Sequence, residues 1–62
     1  MKVIYDIGET VAIPVKNIKE FRIIHHGYVY EVEVTYVICT GIKAIIFRSD
    51  SREECEEFIE NI

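Results

Sequence analysis

The chain has 62 residues, which is enough for one small domain, and half of them are apolar. This apolar share excludes a disordered chain, and charged residues interrupt every apolar stretch before the ~18 residues that a membrane span requires. Twelve Ile and seven Val occur with no Leu and no Trp. Because β-branched side chains favour strands over helices, the composition predicts a mainly β protein.

Charge is distributed unevenly along the chain. Residues 50–62 hold six acidic residues and one basic residue, whereas residues 1–49 have a net charge of +1, for a total of −4. A body without a surplus of basic residues lacks the counterion release that drives non-specific nucleic-acid binding. The charges therefore disfavour nucleic acid as a partner, and we expect no membrane partner either.

The cysteines indicate a reducing compartment. Cys39 and Cys55 are too few for the disulfide framework of a small secreted domain. Met1 and Lys2 lead into alternating residues rather than into the apolar core of a signal peptide. We expect a cytoplasmic protein with two reduced core thiols, and a Cys39–Cys55 bond is the alternative.

Turn residues divide most of the chain into runs of strand length. The predicted strands cover residues 2–7, 10–15, 18–25, 28–39 and 42–47. Pro14 has no backbone N–H and belongs at a sheet edge or a strand end, and Gly27 is the natural site for a positive φ in a tight turn. Short connections favour antiparallel pairing of neighbouring strands.

The longest run, residues 28–39, alternates between two faces, as is typical of a half-buried antiparallel strand. Tyr28, Tyr30 and Tyr36 share one face with valines, and Glu31 and Glu33 lie on the other. Tyrosine suits both a core and a binding surface, so both roles remain open for the three tyrosines. The two glutamates are expected to solvate the outer face.

The last segment changes to a helical period. Ser51-Arg52-Glu53-Glu54 matches a capping box, which predicts a helix over residues 52–61. Apolar side chains then recur at i, i+3, i+4 and i+7, and the stripe that they form must pack on the sheet. The stripe consists of Cys55, Phe58, Ile59 and Ile62, and the acidic face of the helix consists of Glu53, Glu56, Glu57 and Glu60.

The element order predicts a single domain over residues 1–62, mainly β with one C-terminal α-helix. Its five antiparallel strands form either an SH3-like barrel or a meander sheet that the helix caps. The opening Tyr5-Asp6-Ile7-Gly8-Glu9-Thr10-Val11 resembles the entry of SH3-like barrel domains. The ending, a strand followed by Ser51-Arg52-Glu53-Glu54-Cys55, resembles the close of small uncharacterised phage and bacterial proteins of this kind.

The resemblance implies a small barrel with a C-terminal helix, in a group known for protein or nucleic-acid contacts rather than catalysis. The chain lacks the basic loop of the nucleic-acid-binding members. An open sheet crossed by a helix, as in the second half of pleckstrin-like domains, resembles the ending equally well.

No constellation of residues indicates chemistry. His25 and His26 lie where the third predicted strand enters a tight hairpin turn; adjacent strand residues point to opposite faces, and no third ligand has the spacing of a zinc site. The sequence offers no nucleophile with an orienting base and no glycine-rich phosphate loop. We therefore expect no catalytic residue, no metal and no cofactor, and hence no enzyme.

The leading hypothesis is a small non-enzymatic protein-interaction module that self-associates, as a homodimer, through an aromatic and aliphatic sheet surface. Ile and Val occur on both faces of several strands, so their number exceeds what one small core can bury. Self-association is a simple way to bury the remaining apolar surface. The candidate interaction residues are Tyr28, Tyr30, Tyr36, Arg22 and His26, together with the acidic helix face.

Two alternatives belong to other classes. One is a protein that binds or sequesters a small, nucleotide-like ligand, with tyrosine stacking and the cations of Arg22, Lys43 or Arg48 as contacts. The other is a phage- or plasmid-encoded inhibitor that docks its acidic helix face on a basic surface of a host protein.

Overall fold

A computed structural model of the protein describes residues 2–37 and 42–62, and it is mainly β with one C-terminal helix, as the sequence predicts. A 3-10 turn at Val15–Asn17 leads from the second strand into the third. The elements are β1 (Val3–Tyr5), β2 (Ala12–Pro14), β3 (Ile18–His26), β4 (Val29–Tyr36), β5 (Lys43–Ser49) and α1 (Arg52–Glu60).

The strands form two antiparallel sheets, a β1–β2 hairpin and a three-stranded sheet in the order β3-β4-β5. Of the two predicted architectures, the closed barrel is therefore not formed, and the meander with a helix across it is formed by β3-β4-β5 alone rather than by five strands. The Ile7 N–H donates to the Ile45 carbonyl oxygen at 2.8 Å and links the two sheets. Beyond this bond β5 carries an extra residue, Ile46, opposite the Val32/Glu33 step of β4. A bulge bends its strand, which explains why β1 and β5 do not continue to pair.

The hairpin strands are shorter than the predicted runs because the Asp6 side chain organises the turn between them. Its carboxylate accepts from the backbone N–H groups of Thr10 at 2.7 Å and Val11 at 2.9 Å. The positive φ of this turn, +56°, falls on Glu9 rather than on Gly8. Pro14 is the last residue of β2, and so lies at a strand end as predicted.

The long strands differ from the predicted runs mainly at their ends. Gly27 has φ +65° in a turn that includes Tyr28, so β4 begins at Val29. The strand ends at Tyr36, and β5 extends to Ser49, which lies opposite Tyr30. Thr40 and Gly41, which connect the predicted strands 28–39 and 42–47, and Cys39 of the alternative disulfide lie outside the described residues.

The core lies between the inner face of the three-stranded sheet and α1. The buried side chains come from β4, β5, α1 and the hairpin: Ile13, Val32, Val34, Ile46 and Cys55. Phe58, Ile59 and Ile62 of the predicted helix stripe pack against them. The rings of Phe47 and Phe58 stack at 4.4 Å between centroids and hold the helix against β5.

The capping box forms in part. The Ser51 hydroxyl oxygen accepts from the Glu54 N–H at 3.4 Å, as predicted. The Glu54 carboxylate, however, accepts from the Ser49 hydroxyl instead of the Ser51 N–H. The Ser51 N–H donates to the Ser49 hydroxyl oxygen at 3.1 Å, so Ser49 replaces the missing half of the box.

Candidate interaction surfaces

The outer face of the hairpin is exposed and carries no charge. In the β1–β2 register Val3 lies opposite Pro14 and Tyr5 opposite Ala12, and cross-strand partners share a face. The alternate pair, Ile4 and Ile13, points into the molecule, where Ile13 is buried. Tyr5 remains 55% exposed and Val3 38% exposed. We call Val3, Tyr5, Ala12 and Pro14 the hairpin face.

The outer face of the three-stranded sheet carries paired charges among apolar side chains such as Ile24 and Ile45. The Arg48 guanidinium contacts the Glu31 carboxylate across β4 and β5, with nitrogen–oxygen distances of 2.7 and 2.9 Å. Arg22 lies opposite Glu33 and forms an ion pair with Glu20 at 3.5 Å. Alternating charges of this kind keep a sheet face hydrated and discourage its association with other sheets.

A groove runs between β1 and β5 where the two sheets diverge. Its floor consists of Ile4, Phe47 and Phe58, which line both of its adjoining lobes. The lobes have volumes of about 430 and 410 Å³. We call this feature the β1–β5 groove.

Acidic side chains dominate the rim of the groove. Glu54 and Glu57 of α1 border one lobe, and Asp6 and Glu9 border the other. Hydrogen bonds to Asp6 from the Val11 backbone and then from the Thr10 side chain stabilise its carboxylate and lower the pKa of its carboxyl. The basic side chains at the rim are Lys2 and Arg48, and Arg48 is paired with Glu31.

Backbone groups of β5 also point toward the groove. The Ile45 carbonyl accepts from Ile7 and therefore points away from β4. The side to which the N–H and C=O groups point alternates from one residue of a strand to the next. After the inserted Ile46 the register places Phe47 opposite Val32, so the groups of Phe47 point toward β4. The N–H and C=O of Arg48 therefore point away from β4, along the free edge of β5.

The structure separates the residues that the sequence singled out as an interaction surface. Tyr30 and Tyr36 pack against the core on the inner face of the sheet. Arg22 and His26 alternate with inner-face residues of β3 and lie on the outer side. Tyr28 is 94% exposed in the turn, outside both faces. The stacking partner of Tyr30 is His25, at 4.4 Å between ring centroids.

The nucleotide-site residues are likewise divided between the two faces of the sheet. Arg22, Lys43 and Arg48 belong to the outer face, opposite the side on which Tyr30 and Tyr36 pack. The acidic helix residues do lie together on an exposed surface, with Arg52 and Glu56 at 3.6 Å. Of these glutamates, Glu57 also reaches the groove.

Sequence reasoning missed both the hairpin face and the groove. The alternation of Val3, Ile4 and Tyr5 is a usable signal for a two-faced strand, although it does not tell which face is covered. The groove depends on residues far apart in the chain, such as Ile4 and Phe58, and has no local signal.

Cys55 is buried and unsuited to nucleophilic chemistry. Its thiol donates to the Tyr30 carbonyl oxygen at 3.6 Å, and burial raises the pKa of the thiol above its usual value. Within residues 2–37 and 42–62, His, Cys, Asp and Glu side chains form no group of three that could hold a metal ion.

Comparisons with known proteins add no relative: no family model, curated protein or solved structure matches this chain. Among the described residues, no helix is long and apolar enough to cross a bilayer. The hairpin face and the β1–β5 groove are thus the features from which a function can be inferred.

Proposed function

We propose that the protein is a small non-enzymatic protein-interaction module that self-associates through the hairpin face. The exposure of Tyr5 and Val3 on a sheet face without charge carries this proposal. Tyrosine contributes a large apolar ring with a polar tip, a combination that is enriched at protein interfaces. The partner surface is a second copy of the same face, because a two-fold axis brings identical patches together.

The size of the molecule supports self-association. A stable interface buries about 800 Å² on each partner, which is roughly a fifth of the 4385 Å² surface of this chain. Ile7 and Val11, 46% and 48% exposed, lie at the turn of the same hairpin and extend the apolar area. A chain of this length gains stability from such an interface, since its own core is small.

Sedimentation equilibrium of the wild-type protein and two matched variants tests the proposal. We expect a concentration-dependent dimer for the wild type, a monomer for Tyr5→Lys and an unchanged dimer for Tyr28→Lys. The two variants introduce the same charge at an exposed tyrosine, one on the hairpin face and one in the β3–β4 turn. A wild-type monomer at every concentration, or equal dissociation by both variants, would refute self-association through this face.

The small-ligand alternative receives less support from the geometry. A nucleotide site requires the aromatic and cationic side chains on the same surface, whereas Tyr30 packs on the inner face and Arg22 lies on the outer face. Arg22 and Arg48 are also engaged with Glu20 and Glu31. The exposure of the acidic helix face favours the other alternative, docking of that face on a basic partner. The acidic helix face adjoins the β1–β5 groove at Glu57.

A further inference from the structure

We infer that the β1–β5 groove binds an extended polypeptide segment of alternating aliphatic and basic residues, which adds as a strand to the free edge of β5. This site adjoins the hairpin face at Tyr5, which lines one lobe, whereas the other lobe is lined mainly by β5 and α1 and contains none of the hairpin-face residues. It gives the protein a second kind of partner beyond a copy of itself.

The floor of the groove selects aliphatic side chains. The stacked rings of Phe47 and Phe58, together with Ile4, form an apolar surface below the gap between the strands. In an extended peptide every second side chain points to the same side, so alternate residues of a strand added to β5 contact this floor, and the intervening residues lie toward the outer face of the sheet.

The edge of β5 supplies the backbone contacts. The Arg48 N–H and C=O point away from β4, as the bond between Ile7 and the Ile45 carbonyl and the strand register require. An added strand satisfies these groups and extends the β3-β4-β5 sheet toward the hairpin. Main-chain bonds give such complexes affinity, and the alternate side chains give them specificity.

The rim selects basic side chains. The carboxylates of Glu57 and Glu9 form no hydrogen bond or ion pair with any residue that the structure describes. With Glu54 and Asp6 the rim carries four carboxylates against two cations, Lys2 and Arg48, and Arg48 is already paired with Glu31. The negative potential of the rim therefore favours a peptide whose remaining side chains are Lys or Arg, and an acidic peptide or a nucleic acid is repelled.

Fluorescence anisotropy with synthetic peptides tests the inference on the intact protein. The probe is a fluorescein-labelled, amidated nonapeptide that alternates valine with lysine. One control peptide alternates valine with glutamate, and the other carries N-methyl groups on the amides of one edge, which removes strand pairing but keeps the charge. We expect saturable binding of the first peptide and loss of binding for both controls.

Two helix variants provide the matched test in the protein. Glu57→Lys reverses a charge at the groove, and Glu60→Lys makes the same change on the same helix outside it. We expect Glu57→Lys to weaken binding about fivefold or more and Glu60→Lys to weaken it by less than about twofold. Equal effects of the two variants, binding of the N-methylated peptide, or no binding of the valine–lysine peptide would overturn the inference.

Failure of this site and failure of self-association are distinguishable. Both helix variants leave the hairpin face intact, so their sedimentation should match that of the wild type. Folding of each variant is checked by circular dichroism, and the exposure of Glu57 and Glu60 on α1 makes both changes compatible with the core. Peptide binding by a purely monomeric protein would support the groove and reject the hairpin dimer.

Discussion

The β1–β2 hairpin and the three-stranded sheet carry different side chains on their outer faces. The long sheet carries two ion pairs on its outer face, of which Glu31 and Arg48 are the closer pair, among apolar side chains such as Ile24 and Ile45. The hairpin leaves Val3 and Tyr5 exposed without a charged neighbour on the same face. Since charged side chains prevent sheets from associating, the difference identifies the hairpin as the face that is left open to association.

The two regions also differ in how they are held. The inner face of the long sheet is covered by α1, with Val32 and Val34 fully buried. The hairpin has strands of three residues and contributes Ile13 as its fully buried side chain. The hairpin should therefore open at a lower free energy than the long sheet, unless a partner covers it.

The largest expected effect concerns the attachment of the hairpin to the core. Ile13 is 2% exposed, and Ile13→Ala should lower the free energy of unfolding by about 2–5 kcal/mol because it leaves a cavity among the core side chains. Ile7→Ala removes the same atoms from a side chain that is 46% exposed and should lower it by only about 1 kcal/mol. Urea unfolding followed by circular dichroism measures both.

A milder variant keeps this test informative if Ile13→Ala does not fold. Ile13→Val should cost about 0.5–1.5 kcal/mol and retain the cooperative transition. Similar values for the alanine changes at Ile13 and Ile7 would show that the hairpin does not share the core of the long sheet. In that case the two regions would be independent rather than unequal parts of one cooperative unit.

A smaller effect is expected on the helix that covers the long sheet. Ser51→Ala removes the hydroxyl oxygen that accepts from the Glu54 N–H, and it should cost about 1 kcal/mol. Ser51→Asn supplies an equivalent acceptor and should stay within a few tenths of a kcal/mol of the wild type. Thermal unfolding compares the three proteins. If alanine and asparagine destabilise equally, the cap does not stabilise α1.

Much of the fold follows from local patterns in the sequence. The change from a period of two to the helical spacing of Cys55, Phe58 and Ile59 predicts both the helix and the face that it buries. The two-residue turn at Gly27 follows from a glycine that tolerates positive φ. Closure of the sheet could not be predicted, because it depends on the bulge at Ile46 and on contacts between distant strands.

The candidate site was much less predictable than the fold. Tyr28, Tyr30 and Tyr36 are separated by even numbers of residues, which would place them on one face of a continuous strand. Tyr28 lies in the turn, however, and the other two pack on the core. Alternation assigns residues to two faces without telling which face another element will cover. Tyr5 is exposed because α1 covers the long sheet rather than the outer side of the hairpin.

The smallest expected effect is a pH-dependent contribution to stability that comes from the turn of the hairpin and not from the long sheet. Hydrogen bonds from the Val11 N–H and from Thr10 stabilise the Asp6 carboxylate and lower the pKa of Asp6 below its ordinary 3.8. The stability that they contribute is therefore present above pH 3.8 and is lost as the pH falls through the lower, folded pKa. Carbon-13 NMR of the Asp6 carboxyl should give this lowered value, and Thr10→Val should raise it toward 3.8. Thr35→Val, on the long sheet, should leave it unchanged, and an Asp6 titration at or above 3.8 in the wild type would show that the turn does not hold the carboxylate.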